Sequence, residues 1–570
     1  MDFKKLVAGL LEKATGLDQT QVYEKLEIPP EREMGDYALP CFRFSKELHK
    51  SPQNIAEDLM QKISAHIGEA DYNLIHECRV IGGYLNIFVD RAIYIKTVLT
   101  EIREKGAHFG SSEEGRGKCI VVEFSSPNIA KPFHIGHMFT TVIGNSLEKI
   151  YRFLGYETVS INHIGDWGTQ FGKLISAYKR WGNEPALKED AIKELLRVYV
   201  QYHKEVKDHP ELDDEARSYF KQLEEGQPEI KAQWQEFRDL SMLEFDRVYQ
   251  RLGIRFDSAA GESFYSDKMD EIVRMLSDQH LLTDSDDAKI VDLTEENLQP
   301  CMILKSDGAT IYATRDLAAA LYRKRTYDFQ KCIYVVGIPQ SLHFKQVFAV
   351  LKKLGFAWAD DCIHIGFGTV RFADRQMATR EGEIIYLEDV LNESVKRAAS
   401  MMDKERKLEN AEMVAEQIGI GAVIYSFLRN NRERDIIFSW EEMLDVEGES
   451  GPYVQYAHAR TCSLLKKAGG VPADAAADYT LLTRDEEYEL VDLLNGFEDA
   501  VHEAAVKYEP AVLTRHVTAI ARAYSKFYNF CKVLDAEPGL RTARLHLCYS
   551  VKILLEKGLM LLGISAPKEM

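Results

Sequence analysis

Apolar positions recur at helical spacing over residues 3–11 and again over residues 52–63, with the turn-rich stretch PPEREMGDYALP between them. Residues 78–89, CRVIGGYLNIFV, alternate instead, which predicts two strands broken at Gly82 and Gly83. From Cys119 the pattern tightens to CIVVEF, apolar and β-branched enough for a buried parallel strand. Ser125, Ser126, Pro127 and Asn128 break it. After Pro132 helical spacing sets in at Ile135, Met138, Phe139, Val142, Ile143, Leu147 and Ile150. Strand, tight loop and helix start together present free backbone N–H groups and a positive dipole end to an anion. A second strand is expected at 158–162, ending in a loop with Gly165, Gly168 and Gly172. Asp166 sits in that loop as a candidate orienting residue, while the glycines, Gly172 above all, can simply serve turns.

The middle of the chain, residues 181–255, is highly charged and helical, and reads as an insertion whose polar faces are solvated. Residues 256 to about 370 return to α/β: two strands, a turn at Ser306-Asp307-Gly308, a helix from about Ala313, then a further strand, loop and helix with Gln340 and His343 at the turn. Residues 371–445 hold RFADRQMATREGEIIYLEDVL and then helices; from Glu447 the pattern is all-helical, with a short linker at 472–478. No internal repeat or long low-complexity tract interrupts this order. The fold class is therefore α/β, with an open parallel sheet whose ligands lie at the carboxyl ends of its strands.

A chain of 570 residues is too long for one core, so three or four domains are expected. No run approaches the roughly 18 apolar residues of a membrane span. The start, MDFKKLVAGLLEKATG, reads as an amphipathic helix and not as a signal peptide. Nine cysteines lack zinc or redox spacing and are expected as reduced thiols in a cytoplasm. The formal charge of −19 excludes nucleic-acid binding by bulk charge, though a local basic surface can still hold a phosphate backbone, with steep salt dependence.

The candidate chemistry sits where the pattern changes. His134 and His137 are three apart on the first helical turn, with Gly136 leaving room for a planar base or ribose; the same pair can equally cap the helix. Lys131 is disfavoured at a helix start by the dipole, which points to a function; an exposed lysine is the alternative. Glu123 near the end of an apolar strand is costly unless paired. Tyr312 and Asp316 are four apart on one face, and Asp316 can also serve as a helix cap.

The string SSPNIAKPFHIGH, with GDWGTQFG at 165–172, resembles the H-I-G-H signature of class I aminoacyl-tRNA synthetases, and in particular arginyl-tRNA synthetases. MGDYALPCF, GGYLNIF, YVQYAHAR, FYNFCKVL and LLGISAPKEM extend the resemblance over nearly the whole chain. It implies a Rossmann-like catalytic core at 111–375 with the helical insertion at about 181–255. Around it the resemblance implies a tRNA-elbow domain at 1–110, a stem and signature-loop region at 376–446, and a helical anticodon-binding bundle at 447–570. The implied reaction joins L-arginine to ATP, accompanied by Mg2+, and passes arginyl to the terminal adenosine of tRNA(Arg). By the same resemblance Glu123, Asn128, Tyr312, Asp316 and Gln340 line an arginine pocket. Lys131, His134, Gly136, His137, Met377 and His343 meet ATP or, for His343, the terminal nucleotide. Tyr84, Asn86, Tyr453 and Tyr456 meet tRNA, with Tyr84 equally at home in a core. The second signature, K-M-S-K-S, is replaced by Met377-Ala378-Thr379-Arg380-Glu381-Gly382, so the pyrophosphate clamp falls to Lys131 first and Arg380 second. No protein ligand set for a metal is visible, and a monomer is implied. Two other readings stay open: another class I enzyme or nucleotidyltransferase, and a non-catalytic relative that binds tRNA or arginine.

Overall fold

The alternation over residues 78–89 folds as two antiparallel strands, β2 (Ile75–Ile81) and β3 (Tyr84–Val89), and β1 (Tyr37–Pro40) pairs with β3 on its other side. The computed structural model describes residues 2–69, 72–285, 288–306, 311–372, 385–402, 410–472 and 477–570. These form two compact units. The first comprises Met1–Phe109, Arg460–Phe497 and Ala519–Leu554. In it Leu85, Ile87 and Val89 point into a core, while Tyr84, Asn86 and Phe88 share the opposite face of β3. Segments distant in sequence are tied by hydrogen bonds: Tyr94 donates to Asp492 at 2.9 Å and Tyr488 to Asp36 at 2.9 Å. Arg544 pairs with the fully buried Glu487 at 2.7 Å.

The second unit comprises Gly110–Ala459, Glu498–Thr518 and Leu555–Met570. Its centre is a four-stranded parallel sheet. β4 (Cys119–Glu123) is flanked by β5 (Glu157–Ile161). Helix α1 (Ile135–Phe153) connects the two and buries the apolar positions read from the sequence. After β5 come α2 (Thr169–Trp181) and then the insertion helices α3 (Ala191–Glu205), α4 (Glu211–Glu224) and α5 (Pro228–Leu252). A separate antiparallel sheet follows, of β6 (Leu282–Ser285), β7 (Ala288–Val291) and β8 (Cys301–Leu304). Then α6 (Tyr312–Tyr327), β9 (Lys331–Val335), α7 (Ser341–Lys353) and β10 (Cys362–Ile365) complete the parallel sheet in the order β10-β9-β4-β5. β9, β4 and β5 are thus adjacent, so their carboxyl ends release three loops within about 10 Å of one another. β11 (Val370–Phe372) pairs in parallel with β12 (Ile436–Phe438), and helices α8 (Leu387–Met401) and α9 (Ala411–Leu428) lie between them in sequence.

Two expectations need correction. Gly172 serves no turn: it lies inside α2, where an added Cβ would stand 2.0 Å from the Ala216 carbonyl of α4, so it permits close helix packing. One segment does reach the length and hydropathy of a membrane span, namely α9. Of its 18 residues 72% are buried, its Tyr425 hydroxyl meets Thr518 at 2.7 Å, and it is a core helix.

Candidate active site

The loop between β4 and α1 is strained and firmly held. Ser125, Ser126 and Ala130 have φ of 71°, 47° and 59°, a region that costs a residue with a Cβ about 1–3 kcal/mol. Side chains from the surroundings compensate. The Ser125 amide donates to Thr140 Oγ1 at 3.1 Å, the Ser126 amide to Asn162 Oδ1 at 3.1 Å, and the Ala130 amide to Ser241 Oγ at 3.2 Å. Ser125 Oγ meets the Tyr249 hydroxyl at 2.7 Å. Ser241 and Tyr249 belong to α5, so the insertion buttresses this loop from below its charged exterior. Asn128 forms a parallel bridge with Gly165, where a Cβ would stand 2.2 Å from Asn128 Oδ1. Asp166, fully buried, accepts from Arg238 Nε at 3.0 Å and from the Ser263 amide and hydroxyl at 2.8 Å each, which locks the glycine loop to the insertion.

His134 is the N-cap of α1. Its Nδ1 accepts from the Gly136 amide at 3.1 Å, and His137 Nδ1 accepts from the His134 amide at 3.2 Å. Burial, then the charge of Lys131, holds His134 below its ordinary value. Burial, with His134 beside it, pushes His137 down to about 3. Both rings are therefore neutral near pH 7, and with Nδ1 used as acceptor each keeps its proton on Nε2. Capping and chemistry coexist: the backbone contacts fix the tautomer and leave two Nε2–H donors on rings whose centroids are 3.9 Å apart. Gly136 also leaves room for the His134 ring itself. A Cβ would stand 2.9 Å from His134 Cε1, crowding the cap. A cavity of about 670 Å³ is lined by Asn128, Lys131, His134 and His137 on one side and by residues of α3 on the other. The chain also returns to this point at Ile385, whose carbonyl accepts from the Ile135 amide at 3.2 Å.

At the carboxyl ends of β4 and β9 the chemistry is acidic. Glu123 Oε2 accepts from Arg323 Nη2 at 2.6 Å, with side chains 7% and 0% exposed, so the cost of a strand carboxylate is met by a partner on α6. The same Nη2 lies 3.3 Å from His163 Nδ1. His163, kept below its ordinary value chiefly by burial, lies 4.0 Å from Asp316 Oδ1 through Nε2. Asp316 Oδ2 meets His343 Nε2 at 2.5 Å. A chain of contacts thus joins Glu123 to Asp316 across α6. Burial alone would raise the Asp316 carboxyl, yet the hydrogen bond and charge of His343, with His163 and Arg323, hold it below the ordinary range. Conversely, burial would lower His343, and Asp316 raises it. His343 is thereby engaged at the acidic end. Next to Asp316, Arg315 pairs with Glu262 at 2.9 Å, and burial pushes the Glu262 carboxyl up to about 7. Tyr312 is 67% exposed at the start of α6, and Gln340 is exposed just before α7.

Met377 and Arg380 fall outside the described residues. Asn86 is 3% exposed, between Tyr84 and Phe88, so its amide is not displayed on the surface in this form; Tyr84 is half-buried against Phe42 with ring centroids 5.6 Å apart. Tyr453 and Tyr456 lie on the helix Gly451–Lys467, Tyr456 39% exposed and Tyr453 half-buried. Sequence reasoning missed His163, Arg323, Glu262 and the α3 wall. His163 carries a visible signal, since it ends the predicted second strand at the sheet edge where ligands lie.

Three family models match: "tRNA synthetases class I (R), catalytic domain" over residues 98–440, "Arginyl tRNA synthetase N terminal domain" over 1–89, and "DALR anticodon binding domain" over 454–570. The chain belongs to the arginyl-tRNA synthetase family. It is 54% identical to an arginine–tRNA ligase of Clostridium botulinum and 51% identical to one of Clostridium perfringens, each over 100% of both chains. The arginyl-tRNA synthetase of Thermus thermophilus superposes with a TM-score of 0.82 at 26% identity over 100% of both chains. The parallel sheet with its histidine-capped helix is the class I core of this family, and the antiparallel β1-β3-β2 sheet falls within its N-terminal domain.

Proposed function

We propose that this chain ligates L-arginine to tRNA(Arg) through a crevice that is acidic at one end and basic at the other. The observation that carries the reading is two pairs of side chains at helix starts, Asp316 of α6 with His343 of α7 and His134 with His137 at the start of α1, the last two helices following the adjacent strands β9 and β4. In the first step an oxygen of the arginine carboxylate attacks the α-phosphorus of ATP, the bond to the bridging oxygen breaks, and pyrophosphate leaves. In the second, the 2′-hydroxyl of the terminal adenosine attacks the arginyl carbonyl and AMP leaves. Phosphoryl transfer calls for positioning and charge stabilisation. The two Nε2–H groups donate to phosphate oxygens as charge develops, and Lys131 clamps the departing pyrophosphate, with Arg380 second. Met377 and Gly136 border the adenosine.

Asp316 receives the guanidinium bidentately, helped by Tyr312, Asn128 and Gln340, while Glu123 lines the pocket with its charge balanced by Arg323. His343, held by Asp316, tunes that carboxylate. Mg2+ would enter with ATP, held by phosphate oxygens and water, since among the described residues no carboxylate lines the cavity at His134. Tyr84, Asn86, Tyr453 and Tyr456 contact tRNA; for Asn86 this requires a local opening. The chain acts as a monomer in the cytoplasm, without a membrane.

Arginine-dependent ATP–pyrophosphate exchange tests this reading. Exchange is expected with arginine and cognate tRNA together, and not with tRNA omitted or another amino acid supplied. The pH profile adds a signed expectation. The pKa of His343 is raised above 6.5 and that of Asp316 lowered below 3.8, so the ion pair spans the interval between those values and extends beyond both. As pH rises through the His343 value, its proton is lost and Asp316 faces the substrate cation uncompensated. As pH rises above 6.5 and through the raised His343 value the KM for arginine should fall, and His343→Gln should flatten the profile. The contribution of His343 to stability runs the other way: it is complete below its unfolded pKa and disappears as pH rises through the folded one. A KM that climbs with pH contradicts this placement of His343.

A further inference from the structure

The insertion helix α3 supplies the far wall of the cavity that holds the two histidines. Leu196, Tyr199, Val200, His203 and Lys204 of α3 repeat at helical spacing and line it, together with Lys207 in the turn just after the helix. Across from them stand Lys131, His134 and His137. Among the described residues the lining thus carries three lysines and three histidines and no carboxylate, in a chain where 90 acidic residues outnumber 71 basic ones. A solvated helix face of ordinary composition would bring an acid to such a surface. Neighbouring lysines of the insertion do pair: Lys173 with Asp213 at 3.3 Å, Lys179 with Glu229 at 2.7 Å, Lys188 with Glu184 at 2.5 Å. Among the described residues Lys131, Lys204 and Lys207 carry no ion pair. The C-terminal dipole of α3 accounts for Lys204 in its last turn and Lys207 just beyond it. It does not account for the lack, among the described residues, of anions facing them, which leaves the positive charge for a ligand. His203 is lowered by burial and by Lys173, so it stands neutral as a further hydrogen-bonding group beside Tyr199, ring centroids 4.6 Å apart.

We infer that Lys204 and Lys207 bind the β- and γ-phosphates of ATP, and the pyrophosphate they become, from the insertion side of the cavity. The inference rests on the crevice reading above and extends it. The chain lacks the signature lysine that would otherwise supply this charge, and two insertion lysines join Lys131 in replacing it. A polyphosphate is favoured over a nucleic-acid backbone because the lysines share one cavity with the histidines assigned to ATP.

The test uses the full chain in exchange assays with arginine and cognate tRNA, titrating magnesium pyrophosphate. Removing two charged hydrogen bonds in a K204A/K207A variant should raise the KM for pyrophosphate about tenfold or more. K204E/K207E should raise it further, and K204R/K207R should restore most of it. The KM values for arginine and tRNA should stay within about twofold. An unchanged pyrophosphate KM overturns the inference, and so does a rise confined to the KM for tRNA, which would assign the lysines to its phosphodiesters. Failure of the crevice reading looks different: exchange would then be insensitive to Asp316→Asn whatever the lysines do. If Lys131→Ala is silent while the double variant is impaired, the insertion lysines alone form the clamp.

Discussion

Asp316→Asn is expected to lower kcat/KM for arginine about a thousandfold. The size follows from a charge pair that is shielded from water on the protein side, where truncating one partner costs about 2–5 kcal/mol. Asparagine preserves shape and one acceptor oxygen but offers a guanidinium no charge. His343 then loses the anion that raises its pKa, and His163 loses its neighbour at 4.0 Å. ATP binding, measured by the KM for ATP, should change little, because the histidines assigned to its phosphates are anchored separately by backbone amides. Steady-state exchange at saturating ATP measures the effect. A variant with less than a tenfold loss would remove Asp316 from the guanidinium site.

The second large effect concerns His134. Because it both caps α1 and is assigned to ATP, an alanine substitution mixes a stability cost of about 1 kcal/mol with loss of a transition-state donor. Asparagine separates them. Its Oδ1 can occupy the place of Nδ1 and accept from the Gly136 amide, while the Nε2 donor disappears. His134→Asn should therefore melt like the parent yet lose about a hundredfold in kcat. His137→Asn should behave alike, since His137 Nδ1 also accepts a backbone N–H. Should kcat survive in both while thermal stability drops, the histidines would be capping residues only.

Much of the site was legible because two strong local patterns coincide. The apolar strand ending at Glu123 and the helix beginning at Ile135 leave few alternatives for the loop between them, and the signature histidines stand at that junction. The second half-site followed from the same strand–loop–helix grammar around Asp316 and His343. What stayed hidden was pairing across the fold. Nothing along the sequence says that Arg323 turns inward to Glu123, because a lone arginine on an amphipathic helix normally faces water. Gly172 looked like part of a glycine loop and proved to be a point of contact between α2 and α4. The insertion was read as solvated helices since its polar residues dominate. Yet Tyr249, Ser241 and Arg238 reach back to hold the catalytic loops. Burial of Asn86 likewise depends on how the sheet of the first unit is covered, which alternation along β3 does not encode.

A structure of the chain bound to a non-hydrolysable arginyl-adenylate analogue examines the two-ended crevice most directly. The account predicts the guanidinium on the Asp316 carboxylate and the phosphate surrogate within hydrogen-bond distance of His134 and His137 Nε2. A guanidinium seated away from Asp316, or a phosphate surrogate out of reach of both imidazoles, would contradict it.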